Sequence, residues 1–256
     1  MPRRNWTREE LILAFNLYFK IPFGKFDDKT PEIISLAKIL NRTPDAVALK
    51  LGNFARFDPS LKKRNIVGLS HGSKLDEVVW NEFYGNLEEL SFESEVLLAE
   101  RTGRKVEDAS GIYVLDLPKQ GKERDAIVKI RVNQNFFRES VLAAYSNKCC
   151  ITGLSIPTLL NASHIVPWSE DEANRMNPRN GLSLNALHDR AFDIGLITVT
   201  TDLKVRVSPR VKKLSNDKAV SDLLMKYDGE LIQEPKRFLP DSRFLEYHND
   251  VIFKNK

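Results

Sequence analysis

The stretch KCCITGLSIPTLLNASHIVPWSEDEANRMNPRNGLSLNALHDRAFDIGLITVT, residues 148–200 of a 256-residue chain, decides how the protein is read. It holds two of the four histidines, His164 and His188, with Asn180 between them in an Asn-Gly dipeptide. Residues 158–166 form an apolar run that stops at Pro167-Trp168, which predicts a short strand with His164 near its end. Residues 182–184 resume an apolar run. Residues 185–193 then predict a helix, with Asn185 as its N-cap and Gly195 as its stop. A hairpin follows, with arms at 196–199 and 205–207 around a turn.

Five elements in this order resemble the HNH endonuclease family. They are a lead-in helix (RVNQNFFRESVLAAY), the turn Cys149-Cys150-Ile151-Thr152-Gly153, SHIVPW, NGLSL and HDRAFDIGLIT, together covering roughly residues 131–200. The family module is a β-hairpin laid on one helix around a single metal ion. The resemblance therefore implies a metal-dependent endonuclease that hydrolyses DNA phosphodiester bonds to 5′-phosphate and 3′-hydroxyl products. A bacterial or phage restriction or defence role goes with it.

Such hydrolysis needs a water stripped of its proton and a cation to neutralise charge growing on the phosphate and the leaving oxygen. By the resemblance His164 is the general base, a task that suits a side chain titrating near neutrality. Asn180 matches the family position whose amide holds that imidazole or gives its oxygen to the metal. His188 matches the family's metal ligand. Asp189 follows it, and Asp193 lies four residues beyond Asp189, so either carboxylate can supply an oxygen to Mg²⁺ or Mn²⁺. Ser163 stands where many members carry an aspartate or histidine ligand, and it is a poor ligand. Phe192 and Trp168 are read as core rather than as groups that stack on substrate, and His248 as structural.

Composition narrows the setting. Thirty-nine Lys and Arg against 35 Asp and Glu give a formal charge of +4, which permits a nucleic acid partner without requiring one. The two cysteines, Cys149 and Cys150, are adjacent, so they form no ordinary disulfide and leave no second pair for a four-cysteine structural zinc. Packing in a reducing cytoplasm is the natural role for both. Met1-Pro2-Arg3-Arg4 leads into a polar helix start rather than a signal peptide, and no run approaches the roughly 18 apolar residues of a membrane span.

The fold class read from the pattern is α+β, an all-α helix-turn-helix-like domain joined to a C-terminal ββα-metal domain. Residues 1–102 form the helical domain, 103–125 a linker rich in charge with Gly103, Gly111, Pro118 and Gly121, and 126–256 the nuclease domain. Thr7 and Glu10 make a capping box, and Thr30-Pro31 and Thr43-Pro44 open two further helices separated by a tight turn. In a helix-turn-helix the third helix presents Lys50, Asn53 and Arg56 outward, with Arg42 at its entry and Lys62-Lys63-Arg64 beyond it, for duplex DNA. A loop at His71-Gly72-Ser73 precedes a helix capped by Ser73. Residues 126–132 alternate as a strand and 134–145 read as a helix. Lys204 and Arg206 share one face of the last hairpin arm and suit phosphate contact.

One module carries one active site, so a double-strand break needs a homodimer or two separate nicks. Two other functions fit the same residues. A DNA-binding regulator with an inactive HNH fold is favoured by Ser163, and a nuclease for RNA or single strands shares the same site chemistry.

Overall fold

The computed structural model describes residues 4–62, 64–66, 69, 72–109 and 120–253. Met1, Pro2, Arg3, Lys63, His71, Gly111 and Pro118, named above, lie outside the described residues. The chain divides into two compact units, Met1–Phe136 and Phe137–Lys256.

The first unit is built from helices α1 (Arg8–Lys20), α2 (Pro31–Leu40), α3 (Pro44–Ala55), α4 (Pro59–Lys62), α5 (Lys74–Phe83), α6 (Leu87–Thr102), α7 (Val106–Ala109) and the first part of α8 (Lys122–Ala144). Their starts follow the local chemistry. Thr7 and Glu10 form the expected capping box, Thr43 accepts from the Ala46 amide, and Ser73 and Asp76 form a second box at α5. Asn41 adopts the left-handed conformation that ends α2. Aromatic rings make the centre: Phe15 lies 4.7 Å from Phe54 and 4.9 Å from Trp80. The Tyr18 hydroxyl reaches the buried Asp58 carboxylate at 2.6 Å.

Of the residues expected to face DNA, Lys50 is instead inside and Arg42 is half-buried. Lys50 is 6 % exposed, and its Nζ lies 2.8 Å from Asp76 Oδ1. Arg42 pairs with Glu10 at 2.6 Å and lies over the Trp6 ring at 4.0 Å. Helical periodicity marks which side of α3 is polar, but not that α5 later covers part of it with an acid. Asn53 and Arg56 are half-buried, and the Arg56 guanidinium lies over Phe57 at 4.3 Å.

The strand read at residues 126–132 is overturned. This segment belongs to α8, and its buried Val128, Val132 and Phe136 recur at intervals of four, a helical face. A short apolar run can satisfy both periods, and the longer pattern decides.

The second unit opens with the rest of α8 and carries two small antiparallel sheets. Strands β1 (Leu160–His164) and β2 (Gly181–Asn185) pair with Leu160 opposite Asn185 and His164 opposite Gly181. Helix α9 (Ala186–Asp193) packs on both strands, with Asn185 as its cap. Strands β3 (Ile197–Val199) and β4 (Val205–Val207) form the expected hairpin. Helices α10 (Pro209–Lys212), α11 (Lys218–Leu223) and α12 (Ser242–Tyr247) follow, and a π-helical turn at His248–Ile252 closes the unit. The architecture is α+β.

Two glycines are fixed by geometry. A Cβ on Gly181 would lie 2.4 Å from Val141 of α8, so β2 can approach that helix only without a side chain. Gly195 has φ of +69° and would meet the Ile252 carbonyl at 2.3 Å, which makes it the stop of α9. Among the described residues no helix is long and apolar enough to cross a membrane.

Lys50→Ala leaves the Asp76 carboxylate buried without its cation. It is expected to destabilise the protein by about 3–5 kcal/mol in urea unfolding followed by circular dichroism, whereas a DNA-contact lysine would leave the unfolding midpoint in place.

Candidate active site

The candidate site lies where β1, β2 and α9 meet. Alternation along β1 sends Asn161 and Ser163 toward α9 and His164 the other way. The His164 ring stacks on Phe137 of α8 at 3.8 Å, with planes 10° apart. Trp168 meets the same ring edge-on at 5.5 Å. Trp168 is half-buried, so its expected place in the core is corrected to a place beside the imidazole. Arg175 lies over the Trp168 ring at 5.2 Å.

His164 Nε2 sits 3.0 Å from the Arg175 carbonyl oxygen. A carbonyl only accepts, so Nε2 carries the proton and donates it there. In the neutral ring Nδ1 then holds a lone pair, and it has no protein partner among the described residues. Burial pushes the His164 pKa below the ordinary histidine value, and the Arg175 carbonyl pulls it partly back. The ring is therefore neutral and in a set tautomer at pH 7.

Asn180 is fully buried and braces the loop between the strands. Its Oδ1 accepts from the Val166 amide at 2.8 Å. Its Nδ2 donates to the Val166 carbonyl at 3.1 Å and to that of Asn174 at 3.4 Å. Its own backbone carbonyl receives the Ile165 amide at 3.0 Å. The amide thus shapes the backbone that follows His164, and it does so through main-chain groups.

On the α9 side, Asp189 accepts from Asn161 Nδ2 at 2.7 Å and from Ser163 Oγ at 2.6 Å, one bond to each carboxylate oxygen. Asp193 stands one turn further along α9. Desolvation, and then the charge of Asp189, raise its pKa above the ordinary aspartate value, while Arg190 and the Ser163 hydroxyl pull it down. Asp189, Asp193 and the Ser163 hydroxyl are thus grouped on one side of α9, with Ser163 next to His164 in the chain.

His188 lies elsewhere. It is 2 % exposed, with Nε2 2.9 Å from the Leu223 carbonyl and its ring edge-on to Tyr227 at 5.3 Å. Among the described residues its buried Nδ1 has no hydrogen-bond partner. Burial lowers its pKa, which the Leu223 carbonyl partly offsets. The ring ties α9 to the end of α11. Among the described residues no three His, Cys, Asp or Glu side chains are grouped as a metal cage.

Of the residues read for DNA contact in this unit, Lys204 and Arg206 are both exposed beside and on β4. Lys204 pairs with Asp202 at 2.9 Å. Both cysteines are buried and free; burial, then the neighbouring Cys149, pushes the Cys150 thiol up.

Reasoning from sequence missed three participants. Asn161 was recoverable, since it shares a strand face with Ser163. Phe137 carried no signal, and neither did Arg175, which acts through its main chain.

Residues 149–200 match the family model described as HNH endonuclease. The matched segment, about a fifth of the chain, includes the β1–β2 hairpin and helix α9, which carry His164 and Asp189. No curated protein matches the chain.

His248 contributes to the acid sensitivity of the fold. It is fully buried, with Nε2 3.1 Å from the Phe192 carbonyl and Nδ1 2.8 Å from the Thr198 hydroxyl. Burial lowers its pKa to about 4 from 6.5. Between these values the unfolded chain binds the extra proton, so stability is full above about pH 6.5 and falls as pH drops toward 4. The expected loss is on the order of 3 kcal/mol, read from urea midpoints across that range. His248→Gln should flatten the acid limb.

Proposed function

We propose that the protein is a metal-dependent DNA endonuclease of the cytoplasm in which His164 is the general base. The observation that carries this reading is the hydrogen bond from His164 Nε2 to the Arg175 carbonyl. It leaves the lone pair on Nδ1, while burial keeps the ring neutral. A water placed at Nδ1 gives up its proton there as its oxygen bonds to phosphorus. The phosphorus–O3′ bond breaks, and the leaving 3′-oxygen takes a proton to give the 3′-hydroxyl. The other product keeps its 5′-phosphate.

The residues present fit a hard divalent cation through oxygen. Asp189 and Asp193 lie one helical turn apart, and the charge of one raises the pKa of the other, a repulsion that a cation relieves. Asp189 and Asp193 would hold Mg²⁺ or Mn²⁺, with water and substrate oxygens completing the shell. When bound, the ion supplies charge neutralisation at the phosphate and the leaving oxygen. Asn180 does not fit as a ligand, because its amide oxygen and nitrogen are engaged with the main chain, and His188 has its Nε2 on the Leu223 carbonyl.

Within the second unit, Lys204 and Arg206 at the hairpin would contact duplex DNA; in the first unit Asn53 on α3 and Arg56 at its end are the candidates. A double-strand break would require two copies, and a restriction or defence role follows the family. A second reading, a DNA-binding regulator with an inert site, is favoured by the lack of a three-residue metal cage among the described residues.

Incubation of plasmid with the protein and Mg²⁺ or Mn²⁺ separates the two readings. Cleavage that stops with EDTA and falls about 10²–10⁴-fold in His164→Ala is expected. The acid limb of the rate profile should lie below the ordinary histidine value of about 6.5. Tight binding that leaves the plasmid intact would establish the regulator instead. In a separate binding titration, Lys204→Ala and Arg206→Ala should each reduce the slope of log K against log salt by about one.

A further inference from the structure

Asp189 is held in an unusual way for a carboxylate near a protein surface. Each oxygen accepts one hydrogen bond from a neutral side chain, 2.7 Å from Asn161 and 2.6 Å from Ser163. Both donors come from one strand at positions i and i+2, which puts them on the same face. That strand is itself fixed in place. Asn161 pairs with Leu184 and Ser163 with Leu182 across the sheet, and Arg138 holds its start through the Leu160 and Pro157 carbonyls at 2.6 and 3.1 Å.

The last torsion of an aspartate is broad and poorly determined by itself. Two donors on a rigid strand remove that freedom. They do so without cancelling charge, whereas a lysine or arginine in the same place would compete with a cation. Each carboxylate oxygen has about two lone-pair sites, so one bond apiece leaves one for a further partner on each. Ser163 also precedes His164 in the chain, so the same strand segment sets the ligand and the base.

We propose that Asn161 and Ser163 are positioning residues for Asp189, a neutral two-point clamp that sets the rotation of its carboxylate and with it the affinity of the site for a divalent cation. The inference rests on the reading of Asp189 as a cation ligand given above. A clamp of this kind acts on ligand geometry, so it governs how tightly the ion is held and leaves the titration of His164 alone.

The test uses the full-length protein and Mn²⁺ alone, with free Mn²⁺ read by electron paramagnetic resonance and folding read by thermal melting. Asn161→Ala and Ser163→Ala should each bind Mn²⁺ about 10–100-fold more weakly than the wild type. Ser163→Thr, which keeps the hydroxyl, should recover part of the loss. DNA cleavage by the alanine variants should return as Mn²⁺ is raised, with an unchanged acid limb. If Asn161→Ala does not fold, Ser163→Ala, which removes a single oxygen, decides. Mn²⁺ binding that is lost in Asp189→Asn but intact in both alanine variants overturns the clamp and spares the ligand assignment. Absent binding in the wild type, or wild-type affinity in Asp189→Asn, overturns the ligand assignment and the clamp together.

Discussion

The pairing of β1 with β2 is the constraint on which the site depends. With His164 opposite Gly181 and Asn161 opposite Leu184, alternate side chains of one five-residue strand face different helices. A slip of one residue would turn the imidazole toward α9 and the serine toward Phe137. Three features resist such a slip. Gly181 allows contact with Val141 that any side chain would block, Asn180 fastens the connecting loop to Val166, and Arg138 holds the start of the strand. None of the three touches the reaction centre proposed here, yet together they decide where the reactive atoms point.

Three described histidines show how surroundings separate one residue type into different roles. His248 has both ring nitrogens bonded and lies flat against Phe192 at 3.6 Å. His188 has one nitrogen on a carbonyl and the other sealed away. His164 has one nitrogen on a carbonyl and the other unengaged, on a half-buried ring. All three have depressed pKa values with burial as the first cause. The shift alone therefore marks none of them as reactive; the difference lies in what each second nitrogen meets.

Much of the second unit was legible from local patterns. The strand ending near His164, the Asn185 cap, the Gly195 stop and the hairpin around residues 200–204 depend on neighbours in sequence, and periodicity and turn chemistry report on such neighbours. What failed depended on distance. Lys50 looked outward because its partner, Asp76, lies 26 residues away. Residues 126–132 looked like a strand because the helix that absorbs them is 23 residues long. The motif position of His188 gave no sign of its packing, because Leu223 and Tyr227, which its ring meets, lie more than 30 residues away. The Arg175 carbonyl was invisible because any residue type would supply it.

The sealing of Nε2 against that carbonyl has a consequence for turnover. On the proposed reading, Nδ1 is the only nitrogen of the ring that can exchange a proton, so intake and discharge use the same door. A product fragment resting over that edge would also block the way out. Resetting the ring for the next cycle then waits on departure of the cut strand, and an enzyme fast at bond breaking would still pause, protonated, until solvent returned to that one edge.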